Sequence, residues 1–393
     1  MTEPPPQVAA AVPDALAVYV HLPWCVSKCP YCDFNSHTLR GALPEAEYIA
    51  ALLADLDADL PLVAGRRVTS LFVGGGTPSL FTGRSIESLL VGIASRLEMA
   101  PAVEITLEVN PGTVEHGRLA DYRAAGVNRL SIGAQSFDAG KLRALGRIHG
   151  PDEIAAAIAE ARAGGFANIN LDLMYGLPEQ SPEQALADVR AALALEPTHL
   201  SHYQLTLEPN TRFHHQPPPL PDEETLWAIE TACLPVLTDA GFQRYEVSAW
   251  ALPDAQCRHN LAYWRFDDYL GLGAGAHGKL SLADGIRRSW RIAHPQGYLR
   301  AGTPRLAGER WLSAEDLVCE YLMNVLRLRE GFTLAAFTAR TGLAERQLAP
   351  RLERLRARGL MTLADGHWRA SDQGYAHLDG LLAEFLPAVA AIP

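Results

Sequence analysis

The sequence lacks a secretory signal and any long apolar run. The first fifteen residues, MTEPPPQVAAAVPDA, have neither the cationic start nor the apolar core and cleavage site of a signal peptide. No apolar run approaches the length that a membrane-spanning helix needs. We therefore expect a cytoplasmic protein with no integral membrane span.

Basic charge is also scarce. The 393 residues contain 34 Lys and Arg against 45 Asp and Glu, which gives a formal net charge of −11. A global electrostatic footprint for nucleic acid or an anionic membrane is therefore absent.

Cysteine is sparse, but it is concentrated at one place. Three of the six cysteines fall within eight residues, and such clustering in a large reduced protein indicates metal binding rather than disulfides. The other three are isolated and are expected to be small buried side chains. The clustered residues are Cys25, Cys29 and Cys32, and the isolated ones are Cys233, Cys257 and Cys319.

Between residues 15 and 250, apolar runs typical of strands alternate six times with helical patterns. The runs are LAVYVHL, TSLFVGG, EITLEVN, RLSIGAQ, NINLDLMYG and HLSHYQLTL, and helices are predicted near 45–60, 83–97, 114–125, 138–163 with a break at Gly150-Pro151, 182–195 and 222–240. Six strand–helix units in order predict an α/β fold with a parallel sheet and right-handed crossovers. We expect a partial (β/α)6 barrel of the TIM type, with a flat doubly wound sheet as the alternative.

The remaining segments follow from composition and pattern. Residues 1–14 are rich in Pro and Ala and are predicted to be disordered. The barrel is assigned to 15–250 and a connection containing HNLAYW to 251–300. Beyond about residue 280 the pattern becomes helical, and 301–393 is predicted to be a winged-helix-like α domain, with a helix-turn-helix-like stretch and the hairpin-like MTLADGHWRAS.

Polar or glycine-rich clusters follow directly after the predicted strands. In a parallel barrel these positions share the face on which active sites are built. The cysteines follow the first strand and GGGTPS the second, and the later strands end with Glu108, Asn110, Gln135, Asp172, Tyr175, Tyr203 and Gln204.

The spacing CxxxCxxC in HLPWCVSKCPYCDF indicates a particular metal centre. Zinc would need four protein ligands, and the sequence has no second pair to complete them. Three thiolates suit a 4Fe-4S cluster whose fourth iron is open to another ligand, such as S-adenosylmethionine (SAM).

These motifs carry a family resemblance. The CxxxCxxC loop resembles that of the radical SAM superfamily, and GGGTPS at 74–79 resembles the superfamily's glycine motif, which takes the SAM amino group on backbone carbonyls. Over roughly residues 15–380, YVHLPWC, LEVNPGT, RLSIGAQSF, LGRIH and NINLDLMYGLPEQ resemble segments of the oxygen-independent coproporphyrinogen III oxidase group.

The resemblance implies a set of SAM-binding residues, although it assigns no catalytic residue. Glu108 would accept hydrogen bonds from the ribose hydroxyls, or would alternatively be a strand-end charge paired with an arginine. Asp172 would complete the site, or would alternatively be a structural cap. The full implied set is Tyr19, Tyr31, Gly75, Gly76, Thr77, Glu108, Gln135, Arg147 and Asp172.

Two features separate the sequence from the oxidase itself. The oxidase has a further cysteine where this sequence has Phe34, and it has a longer N-terminal extension. HNLAYW at 259–264, followed by DYLGLGAGAHG, resembles the heme-chaperone branch of the group, whose members bind heme and pass it to acceptor proteins. The prediction is therefore a heme chaperone on a radical SAM scaffold. The alternative is an enzyme that decarboxylates coproporphyrinogen III by radical chemistry.

HNLAYW is compatible with a porphyrin site. His259 is a candidate iron ligand, with a satisfied core histidine as its alternative. Tyr263 and Trp264 would lie against the macrocycle, and Arg258 and Arg265 would meet its propionates. Two further histidines compete as iron ligands, namely His21 and His277.

The expected cofactors are the cluster, SAM and heme, and the expected partners are heme-acceptor proteins and an electron donor, with a possible homodimer.

A third function, action on RNA through the C-terminal domain, is disfavoured. Residues 301–393 contain 11 Arg, no Lys and 11 Asp plus Glu, whereas a groove-binding module is distinctly basic. We expect no nucleic-acid partner and interpret the helix with the following arginines as a solvated or protein-docking face: Arg351, Arg354, Arg356 and Arg358.

Overall fold

The computed structural model describes residues 10–113, 118–300, 302 and 304–386. The strands are β1 Ala15–Leu22, β2 Trp24–Cys25, β3 His37–Thr38, β4 Arg67–Gly75, β5 Glu98–Val109, β6 Arg129–Gln135, β7 Asn168–Tyr175, β8 His199–Gln204, β9 Gln243–Glu246, β10 Ala249–Ala251, β11 Tyr269–Leu272, β12 His277–Leu282, β13 Gly285–Arg291, β14 Leu306–Trp311, β15 Met361–Ala364 and β16 His367–Ala370.

The α-helices are α1 Glu45–Val63, α2 Gly83–Ala94, α3 Arg118–Ala124, α4 Ala139–Ala144, α5 Pro151–Ala163, α6 Pro182–Ala194, α7 Arg212–His215, α8 Glu223–Asp239, α9 Arg258–Trp264, α10 Pro295–Leu299, α11 Ala314–Val325, α12 Leu334–Thr341, α13 Ala349–Ala357, α14 Asp372–Ala376 and α15 Leu378–Ala383. Within the described residues, no helix combines the length and the hydropathy required to span a membrane.

Six strands form a parallel sheet in which spatial order follows chain order. The order is β1, β4, β5, β6, β7 and β8, and each neighbouring pair is parallel. A doubly wound sheet would reverse this order at a switch point. All six strands contribute lining residues to one inner cavity of about 230 Å³, among them Tyr19, Phe72 and Ser201, so the sheet curves around its interior. The predicted α/β partial barrel is confirmed.

Antiparallel strands extend both edges of the barrel sheet. β11 pairs in parallel with β1 and is followed outward by antiparallel β12, β13 and β14, while β10 and β9 extend the edge at β8. The prediction that the pattern turns helical beyond about 280 is therefore wrong for residues up to Trp311. GIRRSWR in β13 has too few apolar residues to be recognised as a strand. Its arginines can nevertheless lie in the sheet because partners distant in sequence pair with them, as Asp55 of α1 pairs with Arg291.

The C-terminal domain has its own apolar core. Helices α11, α12 and α13 and the hairpin of β15 and β16 bury residues such as Leu322, Phe337 and Trp368. Because β14 belongs to the barrel sheet, the C-terminal part of this core begins at Leu312 rather than at the predicted residue 301, and Phe266 and Ile286, which precede β14, also pack into it. Ala10 is buried against the same core, which differs from the disorder predicted for it, and residues 1–9 of that predicted segment lie outside the described residues.

A buried ion cluster fastens the edge strands to the barrel. Asp268 accepts hydrogen bonds from Arg66, before β4, at 2.6 Å and from Lys279 of β12 at 2.9 Å. It also accepts bonds from the backbone and hydroxyl of Ser281 at 2.6 and 2.8 Å. Burial alone would raise the pKa of Asp268, but these partners lower it, with Lys279 foremost. The carboxylate is therefore held charged in the interior.

We predict that Asp268→Ala lowers the free energy of unfolding by about 3–5 kcal/mol, because it leaves two buried cations uncompensated. As a matched control, Glu330→Ala breaks the exposed pair with Arg265 and should cost about 0–1 kcal/mol. Guanidinium unfolding followed by circular dichroism measures both. Equal midpoints for the two variants would contradict the role of Asp268.

Candidate functional site

The three clustered cysteines line a single cavity at the carboxyl ends of the barrel strands. We call it the cluster cavity, and its walls include Cys25, Cys29 and Cys32 together with Gly75 and Gly76. Cys25 is buried at the end of β2, whereas Cys29 and Cys32 are half-buried on the loop that follows. The amide of Cys32 donates to the carbonyl of Cys29 at 3.2 Å, which closes a tight turn between them. The predicted convergence of the cysteines and the glycine motif is therefore present.

The environment of these thiols suits a polynuclear centre. A single zinc ion would draw its sulfurs to about 3.8 Å of one another. Among the described residues, no three His, Cys, Asp or Glu side chains are gathered around a point that could hold one metal ion. Each cysteine of a 4Fe-4S cluster binds a different iron, so the thiols need to share a cavity and not a point. The three cysteines meet this requirement.

Nearby groups prepare the thiols for a ligand. Arg147 directs Nη1 at the sulfur of Cys29 at 3.8 Å, and its Nη2 donates to the carbonyl of Gly133 at 2.9 Å. Burial, with a smaller contribution from the neighbouring cysteine thiols, raises the pKa of Cys25 and Cys32. Three thiolates here would repel one another, so a cationic centre is the complementary occupant.

The segment after β8 packs against the cysteine loop. The amide of Phe213, in α7, donates to the carbonyl of Pro30 at 2.9 Å, and its ring lies 6.4 Å from that of Tyr31. Sequence reasoning missed this support, since Phe213 carries no motif. Contacts across about 180 residues of chain leave no local signal.

The glycine motif is required by close contact between two loops. A Cβ on Gly76 would lie 2.5 Å from the carbonyl oxygen of Trp24, and Gly75 has a φ of +117°. The amides of Gly76 and Thr77 donate to the carbonyls of Leu22 and Trp24 at 2.8 and 2.7 Å. Side chains on these glycines would separate the motif from the cysteine loop.

Two carboxyls face the cluster cavity from β5 and β7. Glu108 accepts a hydrogen bond from the amide of Gly75 at 2.9 Å, and Asp172 accepts one from Asn170 at 2.8 Å. Burial, and after it the charge of Asp172, raises the pKa of Glu108 to about 7. Glu108 has no ion-pair partner among the described residues, so the alternative of a strand-end charge paired with an arginine does not describe it.

Strand β6 supplies more of the wall than the sequence analysis assigned. Ser131, Gly133 and Gln135 alternate along β6 and all line the cavity. The two-residue period of a strand, applied backward from Gln135, would have identified the first two. Tyr203 of β8 lines the same cavity and donates to Gln135 Oε1 at 2.8 Å.

Eight of the nine predicted SAM residues line the cluster cavity, and Tyr19 does not. Tyr19 instead faces a neighbouring cavity of about 460 Å³, which we call the lateral cavity. Its hydroxyl lies 2.8 Å from Nδ1 of His21. The two cavities share Phe34, Gly75 and Glu108 as walls.

The histidine of HNLAYW is a buried residue whose ring nitrogens are both engaged. His259 Nδ1 lies 3.1 Å from the hydroxyl of Ser70, and its Nε2 lies 2.9 Å from that of Tyr263. Burial, with a smaller effect of Arg129, lowers the pKa of His259 to about 3. His259 lines the inner cavity together with Tyr263. It has no free nitrogen to give to an iron in this arrangement.

The structure does not gather the other predicted heme residues around one site. Tyr263 lines the lateral cavity and the inner cavity, and it shares a third cavity of about 250 Å³ with Trp264. Trp264 stacks instead under Arg327, whose guanidinium lies 4.3 Å from the ring centroid. Arg258 donates to the carbonyl of Ala102 on the exterior, and Arg265 pairs with Glu330 at 2.9 Å.

Comparison with known proteins shows the family. Residues 19–192 match the radical SAM superfamily, and residues 312–377 match the HemN C-terminal domain. The fold resembles that of the coproporphyrinogen III oxidase HemN from Escherichia coli, a radical SAM enzyme, with a TM-score of 0.79 and 24% identity over 97% of this chain and 91% of that chain.

Two curated relatives are similar along nearly their whole length. The heme chaperone HemW of Escherichia coli K12 is 50% identical over 94% of this chain and 98% of that protein. The mitochondrial radical S-adenosyl methionine domain-containing protein 1 of Mus musculus is 37% identical over 98% of this chain and 90% of that protein. The chain therefore belongs to the HemW family of radical SAM proteins.

Proposed function

We propose that this chain is a heme chaperone that carries a 4Fe-4S cluster and SAM, binds heme and transfers it to acceptor proteins. The observation that carries the proposal is the 50% identity to the Escherichia coli heme chaperone HemW, which extends over 94% of this chain. The two adjoining cavities support it, because they offer one site for the cluster with SAM and another for a flat apolar cargo.

Cys25, Cys29 and Cys32 would hold the cluster, and when bound it would supply an electron to SAM. The backbone of Gly75 and Gly76 would receive the methionine end of SAM, with Glu108 placed to accept hydrogen bonds from hydroxyl groups. Tyr31, Thr77, Gln135, Arg147 and Asp172 complete the proposed lining. Tyr19 would lie outside the SAM site itself, in the wall of the adjoining lateral cavity.

We predict that changing Cys25, Cys29 or Cys32 to Ala removes the brown iron-sulfur chromophore, because each thiolate binds a different iron. Cys319→Ala is the matched control, since Cys319 lies on α11 and its thiol approaches Met323 at 3.8 Å. Iron and sulfide analysis after anaerobic reconstitution reports the result. Full iron content in all three variants would exclude this ligand set.

We predict that Glu108→Gln weakens SAM binding about tenfold, because a hydrogen bond to a charged acceptor contributes about 1.5–3 kcal/mol, part of which is offset by ionising a carboxyl whose pKa is raised to about 7. Glu98→Gln is the control, since Glu98 begins the same strand and pairs on the surface with Arg67. Calorimetry on cluster-loaded protein gives both affinities. Identical affinities for wild type and Glu108→Gln would count against the assignment.

Aromatic rings surround the lateral cavity, as a porphyrin site requires. Tyr19, Tyr263, Tyr269 and Phe34 all line it, and its volume of about 460 Å³ lies within the range of small-molecule sites. Phe34 is 62% exposed, so an apolar ring stands in water at the entrance. A bound macrocycle would cover this ring and remove its apolar surface from water.

Cationic groups stand near the cavity for the propionates. Lys28 donates to the carbonyl of Phe34 at 3.1 Å, and Arg288 donates to the hydroxyl of Tyr269. Asp33 and Glu108 also line the cavity, and Asp33 is exposed. Of these two cations, Lys28 is exposed and would meet a propionate, since the Arg288 guanidinium is already paired with Glu320.

Exposed apolar side chains occur next to residues of the site and would suit contact with a protein partner. Val26 is 49% exposed beside Cys25, and Ile148 is 46% exposed beside Arg147. Each is next in sequence to a residue that lines the cluster cavity, and the exposed Phe34 lines the cavity itself. We propose that an electron donor or a heme acceptor docks there, and a homodimer is a further occupant of such a surface.

The competing function is oxidation of coproporphyrinogen III, since the fold resembles that of the oxidase. Phe34 stands where the oxidase has a further cysteine and presents an apolar ring instead of a thiol. We predict that the purified protein binds hemin and does not convert coproporphyrinogen III to protoporphyrinogen IX. Parallel anaerobic assays with SAM and an electron donor measure both. Sustained porphyrinogen turnover would overturn the chaperone proposal.

A further inference from the structure

Three histidines lie at or beside the lateral cavity, and two of them are chemically occupied. His259 binds Ser70 and Tyr263 through its two ring nitrogens. His21 is likewise buried, with Nδ1 2.8 Å from the hydroxyl of Tyr19 and Nε2 2.9 Å from the carbonyl oxygen of Asn35. Either ring would have to abandon two hydrogen bonds inside the protein before it could ligate a metal, and buried polar groups left unpaired in this way are costly.

The third histidine, His277, is free to coordinate. It is exposed at the start of β12, lines the lateral cavity, and makes no ring hydrogen bond to any residue that the structure describes. Burial on one side, and next the charge of Arg288, lowers its pKa. A lowered pKa favours the neutral imidazole, which is the form that binds a metal.

The ring of His277 is held by its neighbours. It pairs in register with Trp290 of β13, and the two rings stack at 6.5 Å between centroids with 28° between their planes. Such stacking against an aromatic face fixes the ring plane without engaging either nitrogen. The ring of His277 is therefore held in place while its nitrogens remain available to a ligand.

The turn before His277 is tied to the cysteine loop. Asn35 of that loop donates from Nδ2 to the carbonyls of Ala274 and Ala293, each at 2.8 Å. Gly275 has a φ of +77°, and a Cβ there would lie 2.3 Å from Asn35 Nδ2. Glycine at this position leaves the Asn35 side chain undisturbed, so the position of His277 is coupled to the loop that carries the cysteines.

We propose that His277, and not His259, would ligate the iron of a heme bound in the lateral cavity. The inference rests on the proposed heme-binding function and identifies the ligand for it. Tyr263 of HNLAYW then forms part of the wall against which the macrocycle lies, and His259 is a positioning residue that fixes the Tyr263 hydroxyl through their 2.9 Å hydrogen bond.

The test is a hemin titration of the full chain with its cluster reconstituted. His277→Ala should weaken hemin binding about tenfold or more and should shift the Soret band and the EPR spectrum of the ferric complex. Added imidazole should restore the wild-type spectrum, because the lost group is a ligand and not a wall. His377→Ala, at an exposed histidine of the C-terminal domain, is the matched control and should behave as wild type.

The outcomes separate the ligand assignment from the function. If wild type binds hemin and His277→Ala keeps its affinity and spectrum, the assignment is overturned while the chaperone proposal stands. If His259→Ala, shown to be folded by retained SAM binding, loses the ligand spectrum and is rescued by imidazole, the ligand is His259. If wild type binds no hemin, both proposals are overturned. Loss in His277→Ala with retention in His259→Ala supports the assignment.

Discussion

The site depends on one close contact, between the backbone that leaves β4 and the backbone that leaves β1. Hydrogen bonds of 2.8 and 2.7 Å run from Gly76 and Thr77 to the carbonyls of Leu22 and Trp24. Such an approach is possible only without a Cβ at Gly76, where it would lie 2.5 Å from a carbonyl oxygen. This contact brings the cysteine loop over the glycine motif. The walls contributed by β5 to β8 then face both.

Much of the fold and of the cluster site could be predicted because their signals are local. A parallel strand buried on both faces is a continuous apolar run, so β1 and β4 to β8 were recognisable, and their ends named the site. The outer strands β12 to β14 were missed because their charged residues are satisfied by remote partners, as Arg291 is by Asp55. The composition of a strand shows that it contains charged residues but not which distant residues pair with them.

The same limit explains the histidine of HNLAYW. The motif places an aromatic residue and a histidine together, and both readings of that pair, iron ligand and core histidine, are local. What distinguishes them is the hydrogen bond between His259 and Ser70, which lies 189 residues earlier in the chain. His277 carried no aromatic motif around it in sequence, because its partner Trp290 comes from the next strand of the hairpin. Whether the nitrogens of a histidine ring are already hydrogen-bonded depends on tertiary contacts and not on the neighbouring sequence.

The central claim is that the cluster with SAM and the heme occupy adjoining cavities separated by Gly75 and Glu108. Anomalous diffraction at the iron edge, from crystals of the hemin-loaded and cluster-reconstituted protein, tests it most directly. The account predicts one group of iron peaks among Cys25, Cys29 and Cys32 and a separate peak beside His277. A heme-iron peak on a surface away from the lateral cavity would contradict it.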